Sequence, residues 1–258
     1  MKTISSFACA AMVAGLGLLA APAHAGKWHH LHLSATDTPA AAKWYVDNFG
    51  GQAVKFGNLD VAMSGGTTIA FFKVAENVPS EGSSVDHIGF SVDNTDAAIE
   101  KFKAAGVKIV AEPKPLPGGM KYAFIEDPWG TKIEILDDPE TKGFHHVHLH
   151  SPDPDATIKW YADTFGGEVT KFKNIPILPA IKYGNMWLIV QKTAEAKAPT
   201  DKRAIDHLGF SFPDLPASMT ELKAKNVKVV ADVVKTPAIT FAFIEGPDGV
   251  KIELVQGN

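Results

Sequence analysis

Nine of the ten histidines, all but His24, mark where chemistry can occur in this chain. They are His29, His30, His32, His87, His145, His146, His148, His150 and His207. All lie in or beside four short alternating stretches, HHLHLS, DHIGFSV, HHVHLHS and DHLGFSF. Histidine used as general surface polarity would be scattered. Imidazoles gathered this way serve as metal ligands or as groups that exchange protons near neutral pH. Strand alternation sorts them by face. His30 and His32 share one face and His29 opposes them. His146, His148 and His150 share a face and His145 opposes them. Leu31 and Leu33, like Val147 and Leu149, fall on the opposed face, which is expected to pack on helices. The faces bearing His30/His32 and His146/His148 then line the concave side of a sheet. On such a face His32 and His148 can be a further ligand, an acid/base or a plain wall. Thiolate chemistry is excluded beyond residue 25, because the single cysteine is Cys9.

The elements that must carry these histidines occur twice. KWHHLHLSATDTPAAAKWYVDNFGG (27–51) matches GFHHVHLHSPDPDATIKWYADTFGG (143–167). VDHIGFSV matches IDHLGFSF, and AFIEDPWGTKIEI matches AFIEGPDGVKIEL, at offsets between 116 and 120. Within each repeat a strand, a helix and three strands occur, then the same series again. Pro39 to Asn48 is the first such helix, with Asp37 or Thr38 as its N-cap and Gly50-Gly51 as its stop. The fold class is therefore α+β, with four βαβββ units forming two tandem domains. The expected boundaries are 26–139 and 140–258, joined through the polar segment DDPETKG.

Residues 1–25 carry Lys2, an apolar run from 7 to 21 and the small-x-small tripeptide Ala23-His24-Ala25. This is expected to be a signal peptide, with a mature chain starting at Gly26 and a periplasmic or secreted location. The 258-residue chain is 45% hydrophobic and 21% charged, with mean hydropathy at zero. That excludes a disordered chain and a protein of several membrane spans. Net charge is −4 and Arg203 is the only arginine, so a broad nucleic-acid footprint is excluded. The expected partner is a small-molecule substrate, with no nucleic acid and no membrane after leader removal. A homodimer is compatible with the sequence.

The paired motifs HHLHL…D…KWY…FGG, DHIGFSV and FIEDPWGTKIEIL resemble the vicinal oxygen chelate superfamily, which includes glyoxalase I, extradiol dioxygenases and bleomycin resistance proteins. The resemblance covers nearly all of the chain after residue 25. It implies that each domain is a curved mixed-sheet cup, with its helices outside, around one divalent metal. Carried over by position, the ligands are His30, His87 and Glu134 in the first domain and His146, His207 and Glu253 in the second. Two imidazoles and one carboxylate suit Fe(II) first, with Mn, Ni or Zn as alternatives.

Glyoxalase I adds a fourth ligand, a Glu. The matching positions here fall near Ala70 or Phe71 and near Leu188 or Ile189, which carry no carboxylate. The resemblance then implies an extradiol-type dioxygenase acting on a small oxygen-rich molecule, with His32, His148 and Tyr122 as the groups handling protons. The phenol is present only in the first domain, since the counterpart of Tyr122 is Phe241. Alternatives are a glyoxalase I-like isomerase or lyase, and a metal-free binding or resistance protein.

Overall fold

The computed structural model describes residues 26–257. Residues 1–25, where the signal peptide is expected, lie outside the described residues, and Lys2, Cys9 and His24 with them. The first repeat contains β1 (Lys27–Ala35), α1 (Thr38–Phe49), β2 (Gln52–Phe56), β3 (Leu59–Ser64) and β4 (Thr67–Lys73). It continues with β5 (Val85–Ser91), α2 (Thr95–Ala104), β6 (Lys108–Pro115), β7 (Lys121–Glu126) and β8 (Lys132–Leu136). The second repeat contains β9 (Gly143–Ser151), α3 (Pro154–Phe165), β10 (Glu168–Lys171), β11 (Pro179–Tyr183) and β12 (Met186–Lys192). It ends with β13 (Ile205–Phe212), α4 (Leu215–Ala224), β14 (Lys228–Lys235), β15 (Thr240–Glu245) and β16 (Lys251–Gln256). Among the described residues no helix is long and apolar enough to cross a membrane.

The four βαβββ units form two eight-stranded mixed sheets, but not one per repeat. The first runs β14-β15-β16-β13-β1-β4-β3-β2 and the second β10-β11-β12-β9-β5-β8-β7-β6. Each sheet joins the first half of one repeat to the second half of the other. The short link 137–142 keeps β8 and β9 in one sheet, next to β5. The longer links 74–84 and 193–204 carry the chain from one sheet to the other. This corrects the expectation of one cup per repeat. The sheet holding β1 and β13 forms cup 1, and the sheet holding β5 and β9 forms cup 2.

The helices form because their ends are capped and one face is apolar. Asp37, rather than Thr38, caps α1, its carboxylate accepting from the Ala40 amide at 3.1 Å. Gly50 ends the helix at φ 76°, a conformation that costs glycine little. The apolar strand face packs as alternation predicts, with Leu31, Leu33, Val147 and Leu149 all fully buried. Phe49 of α1 stacks on Phe90 of β5 at 3.8 Å, and Phe165 of α3 stacks on Phe210 of β13 at 4.0 Å. These two helices therefore bridge from their own sheet to the other, and one continuous core unites the repeats.

A buried carboxylate gives that core a pH dependence. Asp127, in the turn between β7 and β8, accepts the Tyr45 hydroxyl at 2.9 Å and the amides of Trp129 and Thr131 at 2.9 and 2.8 Å. Its counterpart is Gly246, and among the described residues the Tyr161 hydroxyl finds no hydrogen-bond partner. Burial pushes the Asp127 carboxyl up to about 6, although those hydrogen bonds oppose it. Between about pH 4 and pH 6 the folded protein thus binds more protons than the unfolded chain, so this group's contribution falls as pH rises. The full cost, about 3 kcal/mol, is reached above the folded pKa. Asp127→Asn lacks this slope. Urea unfolding at pH 4 and pH 7 should show wild type losing about 2.4 kcal/mol relative to the variant across that interval.

Candidate metal centres

Cross-repeat pairing decides which ligands meet. In cup 1, β1 and β13 run antiparallel with His32 directly opposite His207, and Glu253 arrives on the neighbouring β16. In cup 2, His148 of β9 faces His87 of β5, and Glu134 arrives on β8. The resulting clusters are His30, His32, His207 and Glu253, and His87, Glu134, His146 and His148. In each cluster all residues are buried, and the four donor atoms lie within 4.8 Å of one another. The pairing of His30 with His87 and Glu134, and of His146 with His207 and Glu253, is therefore corrected. The six residues group as His30/His207/Glu253 and His87/Glu134/His146, each with a third histidine.

Glu253 Oε2 gathers cup 1. It lies 3.0 Å from His30 Nε2, 3.1 Å from His207 Nε2 and 3.7 Å from His32 Nε2. In cup 2 Glu134 Oε2 lies 3.0 Å from His87 Nε2 and 3.4 Å from His146 Nε2. Burial alone would raise these carboxyls. The hydrogen bonds and charge of the neighbouring histidines outweigh it and hold both well below the usual range. Burial, joined by the charge of neighbouring histidines, lowers His32 and His148 well below the ordinary imidazole value. Both are then neutral at physiological pH, the form that binds a metal. Neither ring nitrogen of His148, nor Nδ1 of His32, has a hydrogen-bond partner among the described residues. Buried donors without partners are costly in a metal-free protein and are satisfied by an ion. Three imidazoles and one carboxylate, spaced as a shell with ligand distances near 2.1 Å requires, fit a divalent transition metal.

Other positions fall where alternation does not place them. Register slips between Trp28 and His30, and between the partners of Gly89 and Phe90 on β9, leave His29 and His145 as bulged residues. A bulge re-aims a side chain. His29 Nδ1 accordingly lies 2.7 Å from His30 Nδ1, and His145 Nδ1 lies 2.9 Å from His146 Nδ1. The same device on β5 and β13 turns Asp86 and Asp206, outside the expected set, onto His87 and His207 Nδ1 at 2.7 and 2.6 Å. Lys132 and Lys251 in turn hold these aspartates. Such partners fix the imidazole tautomer, leaving Nε2 as donor. The motif DHIGFS signalled them, since an Asp precedes each His. His150 lies 3.8 Å from Asp86 at the edge of cup 2.

The glycine of that motif has a role in the site. Gly209 faces His30 and Gly89 faces His146 across the strands. A Cβ on Gly209 would come 2.2 Å from the His30 ring, and one on Gly89 2.1 Å from the His146 ring. Gly209→Ala should displace His30 and weaken cup 1 by about 10- to 100-fold in metal affinity. Equilibrium dialysis against limiting metal should then leave one ion per chain, held in cup 2.

The cups differ above their floors. Cup 1 opens into a cavity of about 490 Å³ that reaches His29, His30, His32 and Glu253. Cup 2 is filled. Register places Trp187 where cup 1 has Thr68, and Ile189 where it has Ala70. The turn Gly57–Asn58 is replaced by the longer segment 173–177. Phe172, equivalent to the 53%-exposed Phe56, is 3% exposed and packs edge-on against Trp187 and His145. Leu136, Ala180, Tyr122, Ile175 and Leu178 complete this plug. Tyr122 thus stands on the cup 2 sheet, not with His30 and His32 as a one-repeat cup requires.

Known proteins show the same architecture. Residues 27–135 and 143–254 both match the Glyoxalase/Bleomycin resistance protein/Dioxygenase superfamily. A probable chloroplastic lactoylglutathione lyase of Arabidopsis thaliana is 38% identical over 97 residues, 37% of this chain and 28% of that protein. The lactoylglutathione lyase of Escherichia coli O157:H7 is 40% identical over 60 residues, 23% of this chain and 44% of that protein. The chain thus spans less than half the length of either relative. Maize glyoxalase I superposes with a TM-score of 0.74 at 19% identity, covering 90% of this chain and 92% of that one. A Bacillus subtilis dioxygenase-like protein superposes at 0.65 with 16% identity, covering 89% and 84%. At these identities the superpositions speak for the fold. Two whole-repeat matches and the cross-repeat sheets establish that the chain belongs to the Glyoxalase/Bleomycin resistance protein/Dioxygenase superfamily.

Proposed function

We propose that this chain is a divalent-metal-dependent isomerase or lyase of the glyoxalase I type, with cup 1 as its active site. The observation that carries the reading is the four-donor cluster His30, His32, His207 and Glu253 at the floor of an open cavity. The lactoylglutathione lyases among its relatives point the same way. His32 stands in parallel register with Ala70, so an imidazole occupies the neighbourhood where glyoxalase I would supply its additional Glu. The expected absence of a fourth ligand therefore no longer favours an oxygenase. His32 thus adds a fourth protein donor to the two imidazoles and one carboxylate that an extradiol-type triad would use.

A bound divalent ion here would act as a Lewis acid on two neighbouring substrate oxygens. This chain's own groups do the rest. Glu253 is the only carboxylate lining the cavity among the described residues, and it is ionised. It takes the proton from the carbon beside the substrate carbonyl and returns it to the adjacent carbon. Carbonyl and hydroxyl exchange places: the C–H bond at one carbon breaks and one forms at its neighbour, the hydroxyl proton passes from one vicinal oxygen to the other, and there is no net oxidation. His30, held by His29, and His207, held by Asp206, keep their rings aimed at the floor. The apolar walls exclude water around the proton.

The test uses metal-loaded protein with α-hydroxyketones and hemithioacetals in deuterated water. Loss of the α-proton by NMR, with no oxygen uptake on a catechol panel, supports the reading. Oxygen uptake with a catechol and no α-proton exchange overturns it and restores the dioxygenase.

A further inference from the structure

We propose that cup 1 selects a substrate with an uncharged aromatic or branched hydrocarbon body and a vicinal-oxygen head, and not a glutathione adduct. The proposal rests on the isomerase reading of the same site and names its substrate class.

The first observation is the wall. Above the polar floor the cavity is bounded by Val54, Phe56, Leu59, Val61, Phe241 and Phe243. Val54 and Phe56, with Met63 beside them, are among the few large apolar side chains left exposed, at 37%, 53% and 43%. Exposed apolar groups gathered around one concave site mark the surface a ligand covers.

The second observation is cup 2, where the same scaffold holds an occupant of its own. Trp187 and Ile189 stand beside His146 and His148 where cup 1 has only Thr68 and Ala70 beside His30 and His32. Phe172 turns in where Phe56 turns out. An indole, a phenyl and branched alkyl groups therefore pack stably over a three-His, one-Glu floor of this shape. Cup 1 has lost that volume through Trp-to-Thr and Ile-to-Ala differences. The space is complementary to an apolar body of the same kind.

The third observation is charge. A glutathione adduct brings two carboxylates and one ammonium, and withdrawing them from water requires opposite charges in the wall. Among the described residues Lys55 is the one lysine or arginine lining the cavity, and Asp60 already pairs it. The chain's only arginine, Arg203, donates to the Pro79 carbonyl and does not line the cavity. An uncharged body needs no such partners and gains about 25 cal/mol for each Å² it removes from water.

The experiment is calorimetric titration of metal-loaded protein with three hydroxamates, each offering the same vicinal-oxygen head. They are acetohydroxamate, naphthohydroxamate and a hydroxamate carried on glutathione. The expected order is naphthyl tightest by at least tenfold, with one site per chain, and the glutathione probe no tighter than acetohydroxamate. Ala70→Ile, which copies cup 2 into cup 1, should abolish the naphthyl preference while metal content and the circular dichroism spectrum stay unchanged. Naphthol without the hydroxamate, in the presence of chelator, should still bind wild type weakly. Tighter binding of the glutathione probe, or no binding of either naphthyl probe with or without metal, overturns the proposal. The order in wild type decides even if the variant does not fold. Turnover of a glutathione hemithioacetal with weak naphthyl binding would sink this substrate class and leave the isomerase reading standing. Naphthyl preference without α-proton exchange would do the reverse.

Discussion

Glu253→Gln is expected to lower kcat by about 1,000-fold or more, whereas Glu134→Gln should leave kcat within about twofold. The two glutamates occupy equivalent positions in equivalent sheets, each gathering two imidazoles on one oxygen. Their sequence contexts, KIEL and KIEI, do not distinguish them. The space above them does. Glu253 lines the open cavity, while Glu134 lies beneath the Phe172, Trp187 and Ile189 plug. A general base must reach the proton it moves, and only the first can do so. Glutamine keeps the size of the side chain and a carbonyl donor but cannot take up a proton. Steady-state turnover of the two variants, with metal content measured on the same samples, checks the assignment. Equal losses in both variants would mean that both cups turn over substrate.

The same contrast shows what the sequence makes legible. The duplication, the βαβββ units, the α+β class and the inward histidine face all follow from alternation, caps and glycine stops. Cross-repeat pairing does not, because β1 can add to β5 or β13 with the same face buried and the same residues opposed. The choice is made by connection length: the short link 137–142 holds β8 and β9 in one sheet, and both longer links can cross. A swap of partners leaves the set of candidate residues intact and changes only which of them meet, so strand position brings all six into buried clusters while their grouping could not be read. The bulges at His29, His145, Asp86 and Asp206 escape a rule of strict alternation, since each inserts one residue that points where parity forbids. The plug in cup 2 was written as a change of offset between the repeats and as Trp187 and Ile189 in place of Thr68 and Ala70. Those differences acquire meaning only once the register sets them beside the histidines.

Metal release should separate the cups even without a substrate. Protein purified with two ions per chain and mixed with excess coloured chelator should release one equivalent quickly and the second at least about tenfold more slowly. Cup 1 is open to solvent through its cavity, and a chelator can approach its ligands directly. Cup 2 must first displace segment 173–177, and that segment is latched. Lys173 reaches Asp138 at 2.9 Å and Glu140 at 2.7 Å, and Asp138 is fully buried. Asp138 also holds His145 Nε2 at 3.0 Å, and His145 meets the ligand His146 at Nδ1. The latch and the ligand shell are thus joined by one line of polar contacts. Lys173 takes φ 46° and Asn174 φ 61°, a backbone that lysine adopts only when held. Removing the lysine side chain therefore loses charged hydrogen bonds worth about 1.5–3 kcal/mol and relaxes the turn. At 1.4 kcal/mol for each factor of ten, Lys173→Ala should speed the slow phase by about tenfold or more and leave the fast phase unchanged. Stopped-flow absorbance of the chelator complex reads both phases. A single phase of two equivalents in wild type would mean that the plug does not shield cup 2. An accelerated fast phase in the variant would mean that the latch acts on the other cup.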